Sequence, residues 1–125
     1  AVYYAEEDNS GDHLCTYDLD TKKSKKLSDG LTAMNQIIPV ENNIYVLGVE
    51  KGQRSLKPYR YNIETKKFSK IKAEDDLDFD HMVYDVFNHD LYLCASHQKE
   101  EDQALEEAKR VRVVSILHLI RIFIV

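Results

Sequence analysis

Several residue types are scarce in this chain of 125 residues, and each scarcity argues against a class of protein. There is no tryptophan, and there are only two cysteines and two prolines. Cys15 and Cys94 form no C-x-x-C pair, so we interpret them as buried free thiols and treat a disulfide or metal site as the less favoured alternative. The five histidines show no metal-ligand spacing, and no nucleotide-binding or hydrolase motif occurs. The sequence therefore predicts no enzyme active site, no cofactor and no metal.

An excess of basic residues is also missing. Asp and Glu number 22 against 17 Lys and Arg, which gives a net charge of -5 at pH 7. Nucleic-acid-binding domains usually carry a basic surface, so we do not expect nucleic acid as a partner. The hydrophobic share of 43% and the charged share of 31% are typical of a globular domain. No N-x-S/T site and no signal peptide are recognisable, which favours a reducing compartment, and we predict a cytoplasmic location.

One stretch of the chain occurs twice. The sequence YDLDTKKSKKL at Tyr17–Leu27 returns as YNIETKKFSKI at Tyr61–Ile71, an offset of 44 residues (61 minus 17). A second echo links residues 43–47 to residues 90–94, with residues 2–4 as a shortened earlier copy. A repeat of roughly 40 to 50 residues made of short strands is typical of a β-propeller blade.

Strand patterns separated by turn residues support this interpretation. We predict three strands in the first unit, four in the second and two in the third: 2–5, 14–19 and 25–27; 36–40, 44–49, 59–63 and 68–71; 81–87 and 91–96. The polar run Glu6–Asp12 is predicted to be a loop. The sequence thus predicts an all-β fold, a partial β-propeller of about two and a half four-stranded antiparallel blades over residues 1–98.

The C-terminal residues 99–125 depart from the repeat. Lys99–Arg110 is rich in Glu, Ala, Leu and Lys and predicts a helix of about three turns. Val111–Val125 is an apolar tail with two arginines, which argues against a membrane span because about 17 or more apolar residues are needed. Pairing as a strand and packing as a helix both remain open, and so does a non-native end.

The chain is too short for a closed propeller, which needs typically four to eight blades. We therefore expect it to be a piece of a longer protein, or one partner in an assembly. Self-association that completes the sheet or the ring is one way to supply the missing blades.

With these strands placed, the central unit resembles a divergent kelch repeat of the BTB-kelch type. Gly48 ends a hydrophobic strand at the position of the first kelch glycine, and Tyr17 and Tyr61 match the kelch tyrosine. The resemblance implies a protein-interaction module, the substrate-recognition propeller of a cullin-3 ubiquitin ligase adaptor, whose BTB domain would lie outside these residues. Residues 2–27 resemble TolB-like propellers nearly as well, which implies a periplasmic scaffold. A further alternative is the propeller domain of a serine peptidase.

The predicted topology also suggests where a protein or peptide ligand binds. In an up-and-down blade the a–b and c–d turns share one end, so the b–c and d–a loops share the other, and binding residues are common on variable loops. The candidate surface comprises residues 6–12, 28–31, 50–55 and 72–80. Its predicted binding residues are Gln53 and Arg54 as polar anchors, with Asp29, Asp75, Asp76 and Asp78 available to a basic ligand.

Two other features have simpler interpretations. Asp76, Asp78 and Asp80 have the first three spacings of an EF-hand loop, but Gly and the bidentate Glu of that loop are missing, so a solvated acidic loop is favoured. Lysines recur at positions 22, 23, 25 and 26 and at 66, 67, 70 and 72. We interpret them as edge and turn lysines that discourage pairing between sheet edges, rather than as a phosphate or nucleic-acid patch.

Overall fold

The computed structural model describes residues 1–28, 30–73, 77–97 and 117–123, the last of these segments and His97 by their backbone. In these residues the secondary structure is β-strand, arranged in three antiparallel sheets, and no helix occurs. The chain divides into two compact units, residues 1–71 and residues 72–125. The predicted all-β class is confirmed.

The first unit contains two sheets. The three-stranded sheet has the order β1 (Val2–Asp8), β2 (Gly11–Asp18), β3 (Lys23–Lys26), and the four-stranded sheet has the order β4 (Ala33–Val40), β5 (Asn43–Val49), β6 (Lys57–Asn62), β7 (Lys67–Lys70). The prediction of a loop from Glu6 was wrong, because β1 runs on to Asp8. Charged side chains are compatible with a strand at an exposed sheet edge, and all three acidic residues of β1 are exposed.

The second unit contains the third sheet, with the order β8 (Leu77–Asp85), β9 (Asp90–His97), β10 (Leu117–Phe123). β10 pairs with β9 from Leu117 opposite Ser96 to Phe123 opposite Asp90. Of the alternatives for the apolar tail, the strand applies to residues 117–123. The helix predicted over residues 99–110 lies outside the described residues.

The repeated stretch of sequence folds into a repeated turn. In the first copy the side-chain Oδ1 of Asp18 accepts the N–H groups of the residues two and three positions on, at 2.8 and 3.2 Å. In the second copy Asn62 Oδ1 does the same at 2.9 and 3.0 Å. The N–H of Lys22 donates to the Asp18 carbonyl and that of Lys66 to the Asn62 carbonyl, both at 2.8 Å. Both lysines have a positive φ, 58° and 59°, which the tight turn requires.

The hairpins are closed by equivalent hydrogen bonds at their other ends. The N–H of Leu27 donates to the carbonyl of Leu14 at 2.8 Å, and the N–H of Ile71 donates to the carbonyl of Pro58 at 2.9 Å. Both pairs are related by the offset of 44 seen in the sequence. The sequence repeat is therefore a structural repeat of the β2–β3 hairpin in β6–β7.

The hairpins β4–β5 and β8–β9 also share an irregularity. A β-bulge lies between Met34 and Gln36 in β4, and another between Phe79 and His81 in β8. An extra residue in one strand reverses the alternation of its side chains. In β8 the buried positions accordingly change from Leu77 and Phe79 before the bulge to Met82 after it.

These equivalences identify one repeated four-stranded motif, whose strands we denote a, b, c and d. The four-stranded sheet contains all of it, the first sheet contains b, c and d, and the third contains a, b and c. An apolar cluster in the first unit joins its two sheets, and it is formed by Leu14, Leu31, Ile44, Val46, Tyr59 and Tyr61. None of the three sheets closes on itself.

Candidate functional site

The connections of the first unit occupy two opposite ends of its sheets. In the four-stranded sheet the a–b and c–d turns meet, because the Asn42 side-chain Nδ2 donates to Glu64 Oε1 at 3.0 Å and the N–H of Ile63 donates to the Asn42 carbonyl at 2.8 Å. The β1–β2 turn, the β3–β4 connection and the β5–β6 connection lie at the other end. We call this second end, residues 8–13, 27, 28, 30–32 and 50–56, the loop end.

Two of these connections are joined by backbone hydrogen bonds. Asp12 and Leu31 exchange N–H to carbonyl bonds of 2.8 and 2.9 Å. The Asp12 carboxylate then accepts the N–H of Met34 at 2.9 Å. Gly11 has a φ of 121°, and a Cβ at this position would collide with the Leu31 carbonyl. The predicted loop segments 6–12 and 28–31 are thus held side by side.

The third connection, between β5 and β6, begins beside the β3–β4 connection, because the end of β5 contacts that connection. The N–H of Thr32 donates to the Val49 carbonyl at 2.8 Å, and the Leu31 side chain lies against Gly48, where a Cβ would come within 2.6 Å of it. Three of the four predicted loop segments therefore converge at the loop end of one unit.

A buried histidine that the sequence analysis did not single out organises the first of these loops. His13 is 6% exposed. Its Nε2 lies 2.9 Å from both Asp8 Oδ2 and Ser10 Oγ, and its Nδ1 lies 3.3 Å from the Ser28 carbonyl. The Asp8 carboxylate also accepts the N–H and the hydroxyl of Ser10, at 2.7 and 2.6 Å. These hydrogen bonds from Ser10, followed by the contact with His13, hold the pKa of Asp8 well below its usual range.

Asp8, Ser10 and His13 do not form a catalytic triad. In a triad the carboxylate and the hydroxyl contact opposite nitrogens of the imidazole ring, so that the base is oriented by one and takes a proton from the other. Here both contact the same nitrogen, and the Ser10 hydroxyl donates to Asp8. The cluster therefore fixes the shape of the β1–β2 turn and activates no nucleophile.

A second polar cluster supports the base of the β5–β6 connection. The buried Tyr59 donates its hydroxyl to Glu50 Oε1 at 2.7 Å, and Lys70 Nζ lies 3.1 Å from the same oxygen. The hydrogen bond from Tyr59, followed by that from Lys70, lowers the pKa of Glu50, while burial and the neighbouring Glu50 raise the pKa of Tyr59. Phe68 stacks on the Tyr59 ring with centroids 5.3 Å apart.

Above this base, the predicted anchors Gln53 and Arg54 lie at the tip of the connection, and both are exposed. The tip is shaped by Gly52, whose φ is 81°, and by the Gln53 N–H, which donates to the Glu50 carbonyl at 3.1 Å. Arg54 forms no ion pair with a described residue. Its guanidinium group is thus open to an anionic partner.

Of the four predicted acidic residues, only Asp78 belongs to the described part of the chain, and it lies in the second compact unit. Asp29, Asp75 and Asp76 lie outside the described residues. Asp78 lies inside β8, half-buried and paired with Ser96, and not in the loop where the sequence placed it. Asp80 follows in the same strand, and its Oδ2 lies 2.8 Å from His81 Nδ1. Asp78 and Asp80 of the EF-hand spacing therefore lie in a strand.

Neither the thiols nor the acidic and histidine side chains form a metal site in the described part of the chain. Both cysteines are free thiols; Cys15 is buried as predicted, whereas Cys94 is only half-buried. Burial raises the pKa of both thiols, with the neighbouring Glu6 adding to the effect at Cys15 and Asp80 at Cys94. Raised pKa values keep both sulfurs protonated and unreactive near neutral pH.

Comparison with known proteins adds no relative. No family model matches the chain, and neither a curated protein nor a solved structure matches it. Within the described residues, no helix has the length and apolar character needed to cross a membrane.

Proposed function

We propose that this chain is a protein-interaction module that binds a protein or peptide ligand at the loop end of its first unit. The observation that carries the proposal is the convergence of three connections at that end, joined through the Asp12–Leu31 bridge and the Thr32–Val49 hydrogen bond. Loops held by a rigid sheet scaffold are the usual location of binding residues. The buried His13 and Tyr59 clusters supply the rigidity, because they fix the bases of the flanking loops.

The chemistry of the loop end favours a ligand with carboxylate groups beside an apolar or amide-rich segment. Arg54 offers an exposed guanidinium, which binds carboxylates through two parallel hydrogen bonds. Gln53 is exposed beside it and offers both a donor and an acceptor. A short acidic peptide would satisfy both side chains.

The narrower form of the proposal is a substrate-recognition propeller of a cullin-3 ubiquitin ligase adaptor, acting in the cytoplasm. Its support is the resemblance of the central unit to a kelch repeat, together with the strand order b-c-d, a-b-c-d, a-b-c. That order is expected for a segment of consecutive up-and-down propeller blades.

Peptide selection tests binding at the loop end. A random peptide library displayed on phage is selected against the chain, and the enriched peptides are measured by fluorescence anisotropy. We expect acidic peptides, with binding weakened about tenfold or more by Arg54→Glu. Arg60→Glu is the matched control, because Arg60 is equally exposed but lies within β6. An equal loss of peptide affinity in the two variants, or an affinity unchanged in both, would contradict the proposed site.

The narrower proposal is tested with the full-length protein. We expect it to contain a BTB domain, to co-purify with cullin-3, and to direct ubiquitin to a reporter fused to a selected peptide, with Arg54→Glu reducing transfer but not cullin-3 binding. A full-length protein that does not bind cullin-3 would reject the adaptor role and leave the peptide-binding result standing.

A further inference from the structure

The buried His13 presents both of its ring nitrogens to hydrogen-bond acceptors. Its Nδ1 lies 3.3 Å from the Ser28 carbonyl, which has no proton to donate. Its Nε2 lies 2.9 Å from both the Asp8 carboxylate and the Ser10 hydroxyl. The single proton of that hydroxyl is engaged with the other Asp8 oxygen, Oδ1, at 2.6 Å. Each ring nitrogen must therefore carry a proton for all of these contacts to be hydrogen bonds.

The charged form of the imidazole is the one that satisfies this arrangement. A neutral imidazole has one N–H and one lone pair. With the proton on Nε2, the lone pair of Nδ1 faces the Ser28 carbonyl. With the proton on Nδ1, the lone pair of Nε2 faces Asp8, which is ionised because its pKa lies well below the usual range. The ring is 6% exposed, so water does not replace the lost hydrogen bond, and an unsatisfied buried polar group is costly.

The titratable groups near the ring come from three strands. They are Glu6 and Asp8 on β1, Cys15 on β2 and Lys26 on β3. Lys26 Nζ lies 3.5 Å from Asp8 Oδ2, and the Cys15 thiol donates to Glu6 Oε2 at 3.6 Å, so it is uncharged. Two carboxylates thus lie near one lysine, and a charged His13 makes the cluster neutral. Of the described residues in the β3–β4 connection, Ser28 and Gly30 contact the ring, and neither is charged.

His13 links two of the three connections of the loop end. The ring binds the β1–β2 turn through Asp8 and the β3–β4 connection through the Ser28 carbonyl, and we call these contacts the His13 clamp. One residue earlier, Asp12 exchanges backbone hydrogen bonds with Leu31. Loss of the proton from His13 would therefore weaken the junction beside which the ligand is proposed to bind.

We propose that the protonation state of His13 regulates the loop end, which is held together when the imidazole is charged and loosened when it is neutral. The effect on ligand binding rests on the proposed function, whereas the clamp itself does not. Because the fold favours the charged ring, the contribution of the clamp is complete at low pH and is lost as the pH rises and the ring gives up its proton. Histidine ordinarily changes its charge between about pH 5 and 8, so binding should be stronger in mildly acidic than in mildly alkaline solution.

The ring protons of His13 test the clamp without a ligand. By NMR of the nitrogen-labelled chain at about pH 5.5, where histidine is ordinarily charged, we expect two slowly exchanging ring N–H signals from His13, because both protons are buried and hydrogen-bonded. His81 is the internal control, since its ring also lies 2.8 Å from a carboxylate, that of Asp80, but its side chain is 46% exposed. Its ring protons should exchange too fast to be seen. One slow signal from His13, or none, would overturn the proposal.

The amides of Asp12 and Leu31 report whether the two connections stay joined. We expect their protection from hydrogen exchange, corrected for the intrinsic pH dependence of exchange, to fall about tenfold between about pH 5.5 and 8. His13→Gln should show the lower protection at both pH values, because glutamine carries no charge. His81→Gln is the matched control and should behave as the parent chain. Protection independent of pH in the parent would refute the clamp, and this measurement decides the matter even if His13→Gln unfolds by circular dichroism.

Peptide affinity separates the clamp from the proposed function. A histidine-free peptide selected at the loop end should bind the parent about tenfold more weakly at about pH 8 than at about pH 5.5, and this difference should vanish in His13→Gln. If no peptide is selected, the proposed function fails, while the ring protons and the amides still decide the clamp. Equal affinity of the parent at both pH values would refute the regulation of binding.

Discussion

The Tyr59–Glu50 hydrogen bond offers the sharpest test of the packing of the first unit. Tyr59→Phe removes a single hydroxyl and leaves the stacking on Phe68 in place. A hydrogen bond to a charged group contributes about 1.5–3 kcal/mol. The Glu50 side chain is 37% exposed and keeps Lys70 as a partner, so we expect a loss near the lower limit, about 1.5 kcal/mol. For a unit of this size that is a decrease in melting temperature of about 6–12 °C.

Tyr61→Phe is the matched control, because Tyr61 is also buried in β6 but its hydroxyl has no hydrogen-bond partner among the described residues. We expect its melting temperature to stay close to that of the parent chain. Thermal unfolding followed by circular dichroism measures both variants. Equal changes in the two would refute the assignment of stability to the Glu50 contact.

The same bond has a defined pH window. The pKa of Glu50 is lowered in the folded state, so its contribution is present above the ordinary value of 4.5 and is lost as the pH falls through the folded pKa. The pKa of Tyr59 is raised from its ordinary value of 10.0, so its contribution is complete below that pH and is lost only as the pH rises through the folded pKa. The difference between Tyr59→Phe and the parent should therefore be constant from pH 5 to 9 and decline in acid.

The remaining predictions concern the glycines of two turns, the apolar core, and the Asp8 carboxylate beside His13. Gly11→Ala should lower the free energy of unfolding by more than about 2 kcal/mol, because Gly11 has a positive φ and lies against the Leu31 backbone. Gly52→Ala should lower it by about 1 kcal/mol, because a Cβ there would meet nothing within 4 Å and only backbone strain remains. In urea unfolding, Ile44→Ala should lower the free energy of unfolding by about 2–5 kcal/mol, because Ile44 is fully buried. Val83→Ala should change it by no more than about 0.5 kcal/mol, because Val83 is 49% exposed. Asp8→Asn should reduce stability at pH 7. Because the folded-state pKa of Asp8 is depressed, this difference should begin to shrink below the ordinary pKa of 3.8 and should be lost as the pH falls through the folded-state pKa.

The sequence predicted the strands well because the repeat carries strong local signals. The Asp18 and Asn62 turns depend on a side chain that bonds its own backbone, so their position is encoded within five residues. The predicted strands 14–19 and 59–63 end one residue beyond Asp18 and Asn62, where the observed strands end. The extent of β1 was missed because Glu6 and Glu7 are polar. An edge strand exposed to solvent needs no apolar alternation there.

The site was predictable only in part. Up-and-down topology was enough to group the loop segments 6–12, 28–31 and 50–55, because it follows from strand order. The burial of His13 depends on contacts with Ser28, 15 residues away in sequence, which no local pattern reports. One signal could have placed His13 on a buried face: it precedes Cys15 by two residues, and residues two apart in a strand lie on the same face. Asp78 was misplaced because the bulge between Phe79 and His81 interrupts the alternation that Leu77 and Phe79 begin, which hides the first part of β8.

The central claim is that one four-stranded motif is repeated along the chain. Amide hydrogen exchange measured residue by residue by NMR tests it most directly. We expect slow exchange at Tyr4 and Glu6 in β1 and at their equivalents in β5, Val46 and Gly48. The amides of Leu27 and Ile71, which close equivalent hairpins, should also exchange slowly. Slow exchange at the amides of one copy together with fast exchange at their equivalents in the other would contradict the account.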